Sequence, residues 1–175
     1  MRSTPRARLP QVEIDVESVA FTPGDKATRY RELLPQLQAL FEDEDDLVAN
    51  LANAAAAIKA CVAATSWVGF YIMKQYQLVL GPFQGNVACV RIALDRGVCG
   101  AAATQRRTIM VQDVSKFPGH IACDGGTKSE IVVPIKRDGQ VVAVLDLDSY
   151  ELAAFDEVDS QGLAPIAELL GKLAW

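Results

Sequence analysis

The sequence predicts an α+β fold in which helices flank a central antiparallel sheet. Helical periodicity dominates residues 25–64 and the carboxyl-terminal segment, whereas runs of aromatic and β-branched residues occupy much of the part between them. Two pairs of these runs are joined by short polar turns and are typical of hairpins. This order of helices, strands and a final helix favours a sheet covered by helices on one or both faces.

The first two elements are predicted to be helices. Residues 1–25 mix proline, glycine, threonine and charge, and we expect a flexible arm there, followed by a single domain over residues 26–175. From Asp25, leucines recur at helical spacing, with a kink or a late start at Pro35. A second helix is predicted in DEDDLVANLANAAAAIKACVAA, because its acidic residues suit a helix N-terminus.

The strand signals follow the second helix. SWVGFYIM and QLVLGPF flank the polar KQYQ and predict a hairpin. GVCGAAATQR is then expected to form a turn and a short helix, and TIMVQDV a strand. The segment SKFPGHIACDGGTK is predicted to be a long loop, and loops of this length within a domain usually serve a function.

The last part of the chain contains the clearest hairpin and a terminal helix. In EIVVPIKRDGQVVAVLDLDS, Asp138 and Gly139 form a preferred turn pair between two strands. The strand alternation places Val142 and Val144 on the same face as the aspartates that follow them. The helix is expected in FDEVDSQGLAPIAELLGKLAW, with Asp156 as its N-cap and a kink or late start at Pro165.

Composition disfavours some classes of partner. The net charge of −5 disfavours nucleic acid and anionic membranes, and no apolar run approaches the roughly 20 residues that span a bilayer. The opening MRSTPRARLP is basic but lacks the apolar segment of a secretory signal; a short tail is preferred to a remnant of a mitochondrial presequence. Four cysteines without such a signal indicate a reducing compartment, and we expect a cytoplasmic protein.

Three carboxylates are expected to meet at one end of the last hairpin. Asp146 and Asp148 share a strand face, and a tight register about the turn places Glu130 near residue 147. Solvated strand ends are the alternative. Aspartate is disfavoured in strands, however, and partial burial of crowded carboxylates raises at least one pKa. A carboxylic acid of this kind can donate a proton near neutral pH.

Two aromatic residues are predicted to form a binding slot. Trp67 and Tyr71 flank Gly69 on one strand face, whereas Phe70 lies on the opposite face, which we expect to be core. A residue without a side chain between two rings leaves room for a small apolar or cationic group. Ordinary core packing of both rings is the alternative.

The cysteines leave two kinds of chemistry open. Cys61 lies in a helical apolar stripe and is expected to be a buried small hydrophobe. Cys89, Cys99 and Cys123 lie in the glycine-rich middle and, with His120, would make a Cys3His zinc set, although only His120 and Cys123 are closely spaced. Redox chemistry suits three loop cysteines better, since one can attack and another can resolve the product as a disulfide.

The ordered motifs resemble the free methionine-R-sulfoxide reductases of the GAF-domain family. The resemblance rests on WVGFYI, LVLGPFQGNVACVRIALDRGVCG, FPGHIACD, SEIVVPI and LDLDS, and it extends from about Tyr30 to about Phe155. It implies a GAF fold, a homodimer, and thiol-dependent reduction of free methionine-R-sulfoxide with no bound cofactor or metal. An external dithiol protein such as thioredoxin would recycle the enzyme. A ligand-sensing GAF module and a zinc-stabilised interaction protein are the alternatives.

The resemblance also implies a role for each loop cysteine. Cys123 matches the nucleophile of the family, and Cys89 matches its usual resolving cysteine. Cys99 matches a third cysteine with an accessory or alternative resolving role. Gly125 and Gly126 depart from the pattern that the family shows near the thiols, and we expect them to loosen that loop.

The remaining matches concern the substrate. The family's aromatic residues for the substrate methyl group fall on Trp67 and Tyr71, and its carboxylates fall on Glu130, Asp146 and Asp148. We assign Glu130 and Asp148 to proton donation at the sulfoxide oxygen, because that oxygen gains negative charge when a thiolate attacks sulfur. Asp146 is expected to support them or to bind the substrate amine.

Overall fold

The computed structural model describes residues 18–121 and 123–175, so most of the predicted N-terminal arm lies outside the described residues. The elements, in chain order, are α1 (Lys26–Phe41), α2 (Leu47–Cys61), β1 (Trp67–Lys74), β2 (Gln77–Gln84), β3 (Arg91–Ala93), α3 (Gly97–Gln105), β4 (Ile109–Val111), a 3-10 turn (Val114–Lys116), β5 (Ser129–Arg137), β6 (Gln140–Ser149) and α4 (Glu157–Leu170). No helix in the described ranges has the length and apolarity needed to cross a membrane.

The strands form one antiparallel sheet in the order β3-β2-β1-β6-β5-β4, which confirms the predicted α+β class. Both predicted hairpins are present, as β1–β2 and β5–β6. The short edge strand β3 was not predicted, since three residues give too little alternation to recognise. The predicted strand TIMVQDV is shorter than expected and continues into the 3-10 turn.

The two faces of the sheet have different coverings. Phe70, Leu145 and Leu147 are fully buried on the face that packs against α1, α2 and α4, as expected for the core face of β1. The opposite face carries Trp67 and Val144 and packs against α3 and the loops. Since polar and apolar residues both line this second face, it is the face on which a site can form.

One predicted face assignment on β6 is wrong. Val142 packs with the helix-covered core, and Val141 packs on the α3 side of the sheet. The cause is an irregularity in the β5–β6 pairing: Ile135 lies opposite Ala143, whereas Lys136 lies opposite Val141, so Val142 is an extra residue. The alternation is restored before Asp146, and the predicted position of the aspartates is unaffected.

The helix ends follow their capping residues. The side chain of Asp25 accepts a hydrogen bond from the Thr28 N–H at 2.8 Å, and Asp46 caps α2 in the same way. The helix α2 therefore begins after the acidic run rather than within it. Asp156 caps α4, as predicted. Pro35 and Pro165 lie inside α1 and α4, so neither proline delays the start of its helix.

Candidate active site

A cavity opens on the α3 side of the sheet, at the end where β5 starts and β6 finishes. Its walls come from β1, the loop between β2 and β3, β3, the first turn of α3, the long loop before β5, and the ends of β5 and β6. The residues predicted from sequence that line it are Trp67, Tyr71, Cys99, Cys123, Glu130, Asp146 and Asp148. Cys89 does not line the cavity but is bonded to Cys123, which does.

The sheet register brings the three carboxylates together. Glu130 lies directly opposite Asp148 across β5–β6, one residue from the predicted position, and Asp146 lies opposite Gly69 on β1. Glu130 and Asp146 are only 6% and 5% exposed, and Asp148 is half-buried. These groups are therefore not the solvated strand ends that the alternative interpretation required.

Burial changes the protonation of all three groups. It raises the pKa of Glu130 well above its ordinary value, and the charges of Asp146 and Asp148 raise that pKa further. Burial raises the pKa of Asp146 to about 7, although a hydrogen bond from Cys99 opposes this shift. Burial, followed by the charge of Asp146, raises the pKa of Asp148 to about 9. The cavity thus holds carboxylic acids that keep a proton near neutral pH.

Cys99 belongs to the acidic side of the cavity. Its Sγ lies 3.2 Å from Asp146 Oδ2 and 4.0 Å from Glu130 Oε1, and its side chain is fully enclosed. Burial raises the pKa of the Cys99 thiol well above its ordinary value, and both carboxylates add to the effect. Cys99 is therefore a protonated hydrogen-bond donor to Asp146 in this structure. Cys61 is buried in the helix-covered core, as predicted.

Cys89 and Cys123 form a disulfide across two loops. Their Cα atoms are 5.3 Å apart, although 34 positions separate them in the sequence. Cys89 lies between β2 and β3, and Cys123 lies in the long loop before β5. That loop is held against α3 by a hydrogen bond of 3.1 Å from the Gly97 N–H to the Gly119 carbonyl oxygen. This is the cysteine pair that the family resemblance implies.

The pairing leaves no Cys3His zinc set among residues 18–121 and 123–175. Two of its cysteines are bonded to each other, and Cys99 lies with the carboxylates instead. A different donor set could hold a cation: ligand atoms of Cys99, Glu130 and Asp146 all lie within 4.8 Å of one another. A metal there would have to displace the protons that burial favours on all three groups.

The aromatic pair forms a wall and not an open slot. Trp67 and Tyr71 are nearly fully buried, and their ring centroids are 6.0 Å apart. A Cβ at Gly69 would lie 2.4 Å from the Trp67 indole, so the indole itself fills the space above Gly69. Phe83 also stacks on the indole, with ring centroids 5.3 Å apart. The predicted gap is occupied because a large ring at position 67 can fold over a residue without a side chain.

Sequence reasoning considered His120 only as a member of the less favoured zinc set, and the structure places it in the cavity. Its Nδ1 lies 3.9 Å from Glu130 Oε2 and is buried with no hydrogen-bond partner in the described structure. Burial lowers the pKa of His120, which favours the neutral imidazole. Asp146 Oδ1 is likewise buried and unpartnered among the described residues. Two polar atoms in one cavity are thus available to a ligand.

Sequence reasoning missed one group of polar contacts at the cavity rim. The Tyr150 hydroxyl donates to Asp124 Oδ2 at 2.7 Å, and Asn86 Nδ2 donates to the Tyr150 oxygen at 3.0 Å. Asn86 Nδ2 also lies 3.2 Å from Asp124 Oδ2. We call Asn86, Asp124 and Tyr150 the Tyr150 cluster. Only the position of Tyr150 directly after LDLDS, beside the predicted acids, could have indicated it.

Comparisons with known proteins identify the family. Residues 42–173 match the GAF domain. The free methionine-R-sulfoxide reductase of Escherichia coli is 41% identical over 149 residues, covering 85% of this chain and 90% of that protein. The chain belongs to the free methionine-R-sulfoxide reductases of the GAF-domain family. The resemblance seen in the motifs is therefore confirmed.

Two further relatives extend this match. Protein YtsP of Bacillus subtilis is 51% identical over 151 residues, covering 85% of this chain and 93% of that protein. The X-ray structure of the family member from Neisseria meningitidis, in complex with its substrate, has a TM-score of 0.86 at 48% identity. It covers 89% of this chain and 93% of that chain, so the fold and most of the chain length are shared.

Proposed function

We propose that this protein reduces the R-sulfoxide of free methionine to methionine, with thiols as the source of electrons. One observation carries the proposal: Cys123, three acidic groups and two aromatic rings line the same cavity. A sulfoxide reductase needs these parts together, namely a nucleophilic sulfur, a proton donor and an apolar wall for the S-methyl group. Membership of the family supports the same assignment.

The first step uses the Cys123 thiol as the nucleophile and the acids as the proton donors. The Cys123 thiolate attacks the substrate sulfur, while Glu130 or Asp148 protonates the sulfoxide oxygen; the raised pKa of each group supports this role. The transient S–S bond between Cys123 and the substrate then breaks together with the substrate S–O bond, as the protonated oxygen transfers to the Cys123 sulfur. Methionine leaves, and Cys123 carries a sulfenic acid. The substrate sulfur is reduced by two electrons, and the Cys123 sulfur is oxidised by the same number.

The second step closes the disulfide. The Cys89 thiol attacks the sulfenic sulfur of Cys123, an S–S bond forms, and the hydroxyl leaves as water with the thiol proton. The observed pairing of these cysteines supports the assignment of Cys89 as the resolving residue. Cys99 has an accessory role in this scheme, because its contacts are with Asp146 and Glu130 rather than with a second sulfur.

The acidic cavity disfavours ionisation of the Cys123 thiol, and the ammonium group of a free amino acid offsets this effect. Asp146, whose pKa is about 7, is partly ionised at neutral pH, and its negative charge disfavours the Cys123 thiolate, since like charges raise the pKa of a thiol. The substrate ammonium supplies a positive charge beside this cluster, and the unpartnered Oδ1 of Asp146 is a suitable acceptor for it. A methionine within a peptide has no such ammonium, so the cavity should favour the free form.

The remaining assignments follow from the family resemblance. We propose that a thioredoxin-like dithiol protein reduces the Cys89–Cys123 disulfide by thiol exchange, since the reaction consumes one dithiol in each cycle. A homodimer, a cytoplasmic location and a single GAF domain over residues 26–175 complete the proposal. No resident metal or organic cofactor takes part in the steps above.

The test is turnover of free L-methionine-R-sulfoxide with a dithiol reductant. We expect activity on the R-epimer, and little or none on the S-epimer or on an N-acetylated amide of the R-epimer. Cys123→Ser should lose at least about a hundredfold of this activity, because no sulfur remains to attack. A wild-type protein that releases no methionine with either dithiothreitol or reduced thioredoxin would contradict the proposal.

The order of the steps has its own test. Cys89→Ser should still release about one methionine per active site in the absence of reductant, because resolution follows the first chemical step. Methionine is measured in acid-quenched samples, and the sulfenic acid is trapped with dimedone and located by mass spectrometry. Label on a residue other than Cys123 would show that the cysteine roles are wrong.

A further inference from the structure

We infer that Tyr150 is a positioning residue for the resolving step, holding the Cys89 and Cys123 loops in register while the disulfide is open. The two loops are residues 85–90 and 119–128, between which the disulfide forms. The inference rests on the proposed function, and it assigns the Tyr150 hydroxyl a part in the second chemical step alone.

The Tyr150 cluster connects the two loops close to their cysteines. Asp124 directly follows Cys123, and Asn86 lies three positions before Cys89. The Tyr150 hydroxyl donates to Asp124 and accepts from Asn86, so a single side chain bonds to both loops. The hydrogen bond to the carboxylate of Asp124 is the shorter, at 2.7 Å, and charge-assisted bonds of this kind are the stronger type.

The ring of Tyr150 fixes the long loop as well. A Cβ at Gly126 would lie 2.8 Å from Tyr150 Cε1, so the loop backbone packs closely against the ring. The Gly126 N–H in turn donates to Asp124 Oδ1 at 2.9 Å. Only Gly125 of the pair has open space around it. The glycine pair therefore provides a close packing position for Tyr150, besides the looseness that the sequence suggested.

The second loop is anchored to the sheet by a separate contact. Trp67 Nε1 donates to the carbonyl oxygen of Asn86 at 3.0 Å. Since Tyr150 directly follows β6 and Trp67 begins β1, both loops are tied to neighbouring strands by contacts that involve no sulfur. These contacts can persist after the disulfide is reduced, when no covalent bond joins the loops.

The chemical consequence is confined to one step. Methionine release uses the Cys123 sulfur, the acids and the rings, so it does not require the Cys89 sulfur. Resolution requires the Cys89 sulfur to reach the Cys123 sulfenic acid, with S–S bond formation and loss of water. Holding the loops together raises the effective concentration of one sulfur at the other.

The experiment compares Tyr150→Phe with Tyr76→Phe under single-turnover conditions. Tyr150→Phe keeps the ring and removes the hydroxyl from a side chain that is 43% exposed. Tyr76→Phe makes the same change at a 91% exposed residue in the β1–β2 turn that does not line the cavity. Reduced protein is mixed with one equivalent of free methionine-R-sulfoxide; methionine, dimedone-reactive sulfenic acid and free thiols are then followed in time.

We expect Tyr150→Phe to release methionine within about twofold of the wild-type rate. Its sulfenic acid should decay roughly three- to tenfold more slowly, the effect expected for losing hydrogen bonds at an exposed site. Asn86→Asp, which places a carboxylate beside Asp124, should show the same split, and Tyr76→Phe should match wild type in both steps. Decay in Tyr150→Phe at the wild-type rate, or equal slowing of both steps, would overturn the inference.

The outcomes distinguish a failure of the proposed function from a failure of the role inferred for Tyr150. A wild-type protein that forms no methionine in the first turnover contradicts the proposed function. A wild-type protein that forms methionine, together with a Tyr150→Phe variant that resolves normally, leaves the proposed function intact and removes only the role of Tyr150.

Discussion

At the scale of single residues, Asp148 shows how surroundings decide the state of a carboxyl group. Its position at the end of β6 follows from strand alternation, but its protonation follows from burial and from the charges of Asp146 and Asp124, which raise its pKa to about 9. The unfolded chain would ionise the same group near its ordinary value of 3.8. The folded protein therefore binds more protons than the unfolded chain between these values, and its free energy of unfolding must fall as pH rises through that range.

We predict that Asp148→Asn is more stable than wild type at pH 8 by more than about 1 kcal/mol, because the amide has no charge to lose on folding. The difference should shrink as pH falls toward 4, where Asp148 is protonated in both states. Urea unfolding of both oxidised proteins between pH 4 and pH 8 measures it. A constant difference across this range would show that Asp148 ionises normally in the fold.

At the scale of elements, α1 and α4 pack closely because Gly162 lies against the ring of Tyr30. The Tyr30 hydroxyl donates to Asp159 Oδ1 at 3.0 Å, and Lys26 Nζ donates to Asp159 Oδ2 at 2.6 Å. A Cβ at Gly162 would lie 2.3 Å from the Tyr30 ring. The glycine is thus required by the contact between the helices and not by its own helix.

We predict that Gly162→Ala lowers the free energy of unfolding by about 1–3 kcal/mol, the usual cost of overpacking. Helix propensity alone predicts a gain of about 1 kcal/mol, so the sign of the result separates the two effects. Gly125→Ala, which meets no atom within 4 Å, is the matched control and should change stability little. Urea unfolding measures both; stabilisation by Gly162→Ala would mean that the helices separate easily.

At the scale of the whole molecule, the disulfide joins two segments that are distant in the sequence. Cys89 and Cys123 are 34 positions apart, and the chain between them contains β3, α3 and β4. Closing a loop of this length restricts the unfolded chain far more than the folded one. Each catalytic cycle in the proposed scheme would therefore alternate between a more stable and a less stable form of the same fold.

We predict that the oxidised wild type is more stable than Cys89→Ser by about 3–4 kcal/mol, the value expected for a closed loop of this size. Wild type reduced with dithiothreitol should unfold at nearly the same urea concentration as Cys89→Ser. Urea unfolding with and without reductant tests both statements. Equal midpoints for the oxidised and reduced proteins would contradict the prediction.

Much of the architecture could be predicted from local patterns. The cap at Asp156, the helix that begins near Asp25 and the turn at Asp138–Gly139 were expected, and strand periodicity placed Glu130 within one residue of its true partner, Asp148. The face of Val142 was predicted wrongly because an extra residue in β6 shifts the alternation of its side chains. A run of valines contains no signal for such an extra residue.

The sequence by itself determined the order of the helices and of the longer strands, the shared strand face of Asp146 and Asp148, and the family to which the motifs point. The tertiary structure alone decided that these acids are buried, that Cys89 meets Cys123 while Cys99 turns to Asp146, and that the Trp67 ring covers Gly69. The contacts within the Tyr150 cluster were also decided by the tertiary structure alone. The reason is physical: periodicity and capping act between near neighbours in the chain, whereas burial and loop contact depend on residues brought together from far apart.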